Sequence, residues 1–270
     1  MLTMASFTFR EALHKRVVHA VLALTICFLI VFSLGVGLAF RELRSRDFGS
    51  TMALQLTMLG MNAVSMMGAL LALFLSVGTI SAEVEAGTLY AIVPKPLRRH
   101  DILLGKWLGH AAMLSVYVFL LSIAVSSSVA LMSGRWPSRI VPASMLLVLQ
   151  ALVLLTISIT GTTFLPTIAN GVVVFGLYSV AMMSGFMEQV GAVIQNESMV
   201  NIGIAVSLLI PSDALMKLSA ALLQQEAGYL ERVGPFLVVS QPSGWMVVYA
   251  VAYSAALLAV ATLIFAKRDL

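Results

Sequence analysis

Residues Ile140 to Met187 read IVPASMLLVLQALVLLTISITGTTFLPTIANGVVVFGLYSVAMMSGFM, a run of 48 without an Asp, Glu, Lys or Arg. A helix rising 1.5 Å per residue needs about 20 apolar residues to cross a hydrocarbon core of roughly 30 Å. The run is therefore long enough for two crossings. Pro166, Asn170 and Gly171 interrupt it near the middle, which predicts two helices joined by a tight turn rather than one continuous rod.

The same measurement carries along the chain. Other charge-free gaps lie between Arg16 and Arg41, Asp47 and Glu83, Lys106 and Arg135, and Arg232 and Lys267. Each holds one crossing, giving six in all: residues 17–40, 52–80, 107–132, 141–165, 168–187 and 245–266. Composition agrees, with 60% apolar residues, 10% charged and a mean hydropathy of +1.00. Soluble domains carry about half and a quarter, respectively. The expected fold is an all-α integral membrane protein of six transmembrane helices. Met199 to Pro211 is apolar but only 13 residues long, which suits an interfacial or re-entrant segment better than a seventh crossing.

The first apolar stretch follows Arg10, Lys15 and Arg16 but is too long for a signal-peptide core and lacks a clear cleavage site, so it is expected to remain as an anchor. Cys27 is the sole cysteine, so no disulfide forms within one chain. Six crossings put both termini on one side. With the termini inside, nine Lys and Arg residues face inward and seven outward, which favours cytoplasmic termini. Arg41, Arg44 and Arg46, between the first two crossings, argue the other way.

Two loops then stand out. The inner one, 81–106, reads SAEVEAGTLYAIVPKPLRRHDILLGK and is a charged hairpin punctuated by Pro94 and Pro96. The outer one, 188–244, includes a stretch in which Ser212 could cap a helix carrying Leu215, Leu218 and Leu222 on one face, expected to lie on the outer surface. Neither could house a nucleotide-binding domain, which needs more than about 100 residues.

On general grounds Arg98, Arg99 and Lys106 could simply face lipid head groups. Their spacing says more. Glu83, Glu85, Gly87, Thr88 and Leu89 close the second crossing, Pro96 and Arg99 follow, and Gly105-Lys106 open the third. This pattern resembles the permease subunits of ABC-2 type ABC transporters, and the resemblance extends over the whole chain. It includes a short basic, partly amphipathic segment, Phe7 to Arg16, within the interfacial residues 1–16. Pro211-Ser212-Asp213-Ala214-Leu215 and the ending Phe265-Ala266-Lys267-Arg268-Asp269-Leu270 look especially like the branch that includes permeases linked to multi-copper enzyme maturation.

The resemblance implies a multi-pass protein of a prokaryotic plasma (inner) membrane, the transmembrane subunit of an exporter. It would pair with a second permease chain, as homodimer or heterodimer, and with two copies of a separate ABC ATPase subunit that binds ATP and Mg. No cofactor, metal or nucleic acid is implied for this chain, which would itself contact membrane lipid. Glu83, Glu85, Gly87, Thr88, Leu89, Pro96, Arg98, Arg99, Gly105 and Lys106 would form the coupling surface for the ATPase, and the helices two and five would line the permease interface. Val84 and Ala86 stand where family members often carry a charge, which puts specific ion pairs there in doubt.

Other motifs fail. Gly105-Lys106 lacks the upstream glycine and following hydroxyl of a phosphate loop, since His100 and Trp107 occupy those places. His14, His19, His100 and His110 have no carboxylate or cysteine at metal-ligand spacing, and His19 and His110 are expected near crossing ends where water can reach them. Met66-Met67 and Met182-Met183 would suit Cu(I), but adjacent helical residues point about 100° apart, so packing is the better reading. Gln150 and Asn170 should find partners on other helices, and Ser126-Ser127-Ser128 should permit close helix approach. No charged residue falls within the assigned spans, which argues against proton-coupled transport. A membrane-embedded enzyme would need a base or metal ligands at membrane depth, which the sequence lacks. A channel or scaffold remains the alternative, since it could share the same six runs.

Overall fold

The computed structural model describes residues 2–42, 46–79, 81, 99–225, 238 and 240–267. Among these, every regular element is an α-helix: α1 (Leu2–His14), α2 (Arg16–Glu42), α3 (Arg46–Ser76), α4 (Arg99–Ser133), α5 (Ile140–Thr162), α6 (Thr167–Val193), α7 (Glu197–Leu209), α8 (Ser212–Gln224) and α9 (Trp245–Lys267). Six of these, α2 to α6 and α9, are long and apolar enough to cross a membrane. Hydrocarbon offers no partner for backbone N–H and C=O groups, so helices, which satisfy them internally, are the structure such runs must adopt.

The bundle is built around α3, α4 and α5. Leu71, Leu75, Leu103, Leu114, Leu147 and Leu154 form its buried centre. Around this trio α2, α6 and α9 present apolar faces outward, as Leu24, Val31, Phe175, Met183 and Leu263 do. Lipid is as apolar as leucine, so close packing and polar contacts hold the helices together. Small residues provide the first. Gly60 on α3 lies under Val125 of α4 and Phe32 of α2, and a Cβ at Gly68 would come within 2.9 Å of Val118 Cγ2.

Polar pairs provide the second. Ser65 and Gln150 exchange hydrogen bonds, Ser65 Oγ donating to Oε1 at 3.0 Å and Gln150 Nε2 donating to Oγ at 2.7 Å. The Thr25 and Tyr117 hydroxyls meet at 2.6 Å, and Trp107 Nε1 donates to Thr156 Oγ1 at 2.9 Å. Ser127 and Ser128 instead donate to carbonyls one turn back, Ile123 O and Ala124 O.

Two expectations about the 188–244 stretch are corrected. Helix α6 runs on to Val193, six residues beyond Met187, so Glu188 lies within a crossing helix. And α8 does not lie on an outer surface: none of its residues is exposed. Asn196 caps α7, accepting from Met199 N at 3.2 Å, after a left-handed residue, Gln195, at φ 57°. Helix α7 descends antiparallel to α6, with Met199 against Gly191 and Gly203 against Glu188. The chain bends by 109° between α7 and α8. It then returns beside α5, where Ser219 Oγ donates to Ala143 O at 2.9 Å and Arg139 Nη1 to Gln225 Oε1 at 3.1 Å. At 13 residues each, the two helices are about 20 Å long, too short to cross separately. They form a bent helical hairpin packed beside α5 and α6. Leu215, Leu218 and Leu222 do share one face, packed on Leu146, Val153 and Ala250. Ser212 caps nothing: its hydroxyl is buried without a hydrogen-bond partner.

Close packing at Gly60 makes a direct prediction. Gly60→Ile should destabilise the protein by about 1–3 kcal/mol through overpacking, read as a lower Tm in detergent, with partial recovery on adding Val125→Ala. Gly35→Ala, which meets open space, should leave Tm unchanged or slightly raised.

Candidate functional site

Helix α3 ends at Ser76, and residues 77–79 turn away from its axis. The last carbonyls of a helix have no intrahelical donor and carry its negative dipole end, so they need partners from elsewhere. Two neighbouring helices supply them. Lys106, buried on α4, donates through Nζ to Thr79 O at 2.9 Å. Asn170, on the first turns of α6, donates through Nδ2 to Val77 O at 3.3 Å and to Ser158 O of α5 at 3.1 Å. Its Oδ1 packs over Gly161, without a hydrogen bond. Just beyond, the hydroxyls of Ser81 and Thr167 meet at 2.9 Å. The α3 end of the stretch between α3 and α4 is thus bonded to α4 and α6, and through Asn170 to α5.

Helix α1 lies against this end of the bundle. Ala5, Thr8, Phe9 and Ala12 recur at helical spacing on its inner face. Gly109 on α4 allows the approach: a Cβ there would meet Ala5 O and Thr8 Cβ at 2.7 Å. Phe7, Arg10, Glu11 and His14 point outward and line an open groove with Lys15. Exposed Phe7 beside Arg10 is the pattern of a helix lying at a membrane surface. His19 is exposed, as the sequence suggests, but His110 is not: it is 1% exposed, with Nδ1 unpartnered, because α1 and α2 cover it.

Of the ten coupling residues expected from the sequence, Glu83, Glu85, Gly87, Thr88, Leu89, Pro96 and Arg98 lie outside the described residues. Arg99 begins helix α4, which puts the helix start eight residues ahead of Trp107. Gly105 and Lys106 are both buried within the bundle. Lys106 anchors the stretch through Thr79 O and does not face lipid head groups. Among the described residues no group of His, Cys, Asp or Glu is placed to hold a metal.

Sequence reasoning missed a second polar centre, at the opposite end. Lys217 Nζ on α8 lies 2.7 Å from Glu188 Oε2 on α6 and 2.9 Å from Asp213 Oδ2, one turn back on α8. Ser240 Oγ donates to the other Glu188 oxygen. The three charged side chains are 4%, 5% and 11% exposed for Lys217, Glu188 and Asp213. Gly185 and Gly203 make the room, the first under the Asp213 carboxylate and the second against Glu188 Cβ. Asp213 lies outside the six crossing helices, and burial pushes its carboxyl above the ordinary value; Lys217 pulls it down and Glu188 adds to the rise. The available signal was the i, i+4 spacing of Asp213 and Lys217, which puts both on one helical face.

The anchorage at Thr79 is measurable. Lys106→Met should lower unfolding free energy in detergent by about 1.5–3 kcal/mol, the usual worth of a hydrogen bond from a charged group. Lys106→Arg should recover part of it.

A family model described as ABC-2 family transporter protein matches residues 3–270. No curated protein matches the chain. Six apolar crossing helices, a surface helix packed on the third, and a family match over nearly the whole length agree with one another: the chain belongs to the ABC-2 transporter family.

Proposed function

We propose that this chain is the permease subunit of an ATP-driven ABC-2 exporter, and that ATP is hydrolysed by two copies of a separate ATPase docked on the stretch between α3 and α4. The observation that carries this reading is the anchorage of that stretch. Its α3 flank is tied to α4 by Lys106 and to α6 by Asn170 and Thr167. A push delivered there by a closing ATPase pair would reach three helices at once instead of bending a free loop. Glu83, Glu85, Arg98 and Arg99 are the charged groups that would meet the ATPase, with Gly87, Thr88, Leu89 and Pro96 shaping the backbone between them.

The remaining parts of the reading follow from the same assignment. The face holding α1 and both termini is cytoplasmic, in a prokaryotic inner membrane. A second permease chain, like or unlike, completes the pathway. The finer likeness, to permeases linked to multi-copper enzyme maturation, rests on Pro211 to Leu215 and on the ending Phe265 to Leu270. Within that likeness this chain carries no copper ion; Met182 and Met183 are exposed on α6, on a face suited to lipid or to a second chain.

The test is co-purification with a separate ABC ATPase subunit from the same cells. Arg99→Glu and the pair Glu83→Lys with Glu85→Lys should abolish ATPase association or uncouple hydrolysis from transport, while Tm in detergent stays within about 2 °C of the parent, as for surface substitutions. Normal association and transport in these variants would overturn the reading.

A further inference from the structure

The bent helical hairpin closes on a group with unequal charges. Glu188 and Asp213 are two carboxyls, and Lys217 is the one ammonium between them. Ser240 is the other partner of Glu188, and it is neutral. Among the described residues, α7 carries only Glu197, at its far, exposed end, and α5 carries no ionisable residue. On α3, Arg46 and Asp47 are of opposite sign and begin the helix, and α9 ends at Lys267. Tyr178 on α6 and Tyr249 and Tyr253 on α9 are further titratable groups on the packed elements, and Tyr249 donates its hydroxyl to Leu208 O at 2.5 Å. With both acids ionised, the buried group holds one negative charge too many. A low-dielectric site does not tolerate an uncompensated charge and takes up a proton instead.

We propose that Glu188, Asp213 and Lys217 form a proton-dependent latch that holds the α7–α8 hairpin inside the bundle, with the proton on Asp213. Both oxygens of Glu188 are engaged, one receiving Lys217 and the other Ser240. Asp213 is the acid with the weaker support: its one ionic neighbour is Lys217, and its carboxylate otherwise rests on Gly185. The sign follows. An acid that keeps its proton in the closed form stabilises that form at low pH and loses the contribution as pH rises through its folded-state value. Ionised Asp213 then repels Glu188 across the single ammonium, and α7 and α8 separate from α6. The latch acts on the hairpin itself and does not depend on the ATPase assignment.

The experiment reads hairpin opening directly in the full chain in liposomes. In a Cys27→Ser background, Ser207→Cys, on the buried face of α7, and Ser198→Cys, exposed at its start, are labelled with a water-soluble maleimide. Their rate ratio cancels the thiol's own ionisation. As pH rises through the folded-state value of Asp213, the Ser207/Ser198 ratio should rise by up to about tenfold per pH unit, the limit for a single-proton titration. Asp213→Asn should hold the ratio low and flat. Glu188→Gln, which leaves one acid and one base, should do the same and serves if Asp213→Asn does not insert. The double variant should label fast at every pH, because Lys217 is left unpaired. A flat ratio in the parent, or the same rise in both single variants, would overturn the proposal.

Discussion

A polar group inside hydrocarbon has no water to accept it, and this constraint organises the protein. Most buried polar side chains find a partner on another helix or on their own preceding turn, and where the partner is on another helix it fixes which helices touch. Gln150 selects α3 through Ser65, Tyr117 selects α2 through Thr25, and Trp107 selects α5 through Thr156. Each bond is worth about 0.6–2 kcal/mol, too little to drive assembly alone. Together with Gly60 and Gly68, which let backbones approach, they turn a set of interchangeable apolar rods into one arrangement.

The same constraint acts at both ends with opposite results. At the end carrying α1, the exposed carbonyls after α3 are satisfied by Lys106 and Asn170. The outcome is a junction in which α3, α4, α5 and α6 are tied around one turn. That is a rigid base from which a loop can act on the bundle. At the other end the polar groups belong to the α7–α8 hairpin. There the charges are two acids against one base, and a buried ionic group of that kind gives less stability than its short distances suggest, since each ion loses its hydration.

Much of this was legible in the sequence. The number of crossings follows from the spacing of charges, because the cost of a charge in hydrocarbon is paid locally, wherever the residue falls. The turn at Pro166, the shared face of Leu215, Leu218 and Leu222, and the need for partners at Gln150 and Asn170 could be read the same way. The identities of those partners could not. Ser65 and Gln150 are 85 positions apart, and no local pattern links them.

The stretch from Glu188 to Gln224 separates the two kinds of knowledge most clearly. Its short apolar run, Met199 to Pro211, already excluded a simple crossing by length alone. The sequence therefore determined that something irregular happens between the fifth and sixth crossings, and that six helices span. Only the tertiary structure decided that this segment folds back beside α5 and α6, and that charges which look like loop residues are buried together. The physical reason is that an acid and a lysine 29 positions apart can neutralise each other at depth only after the hairpin has brought them into contact, so their burial is a property of the packed bundle and of no segment within it.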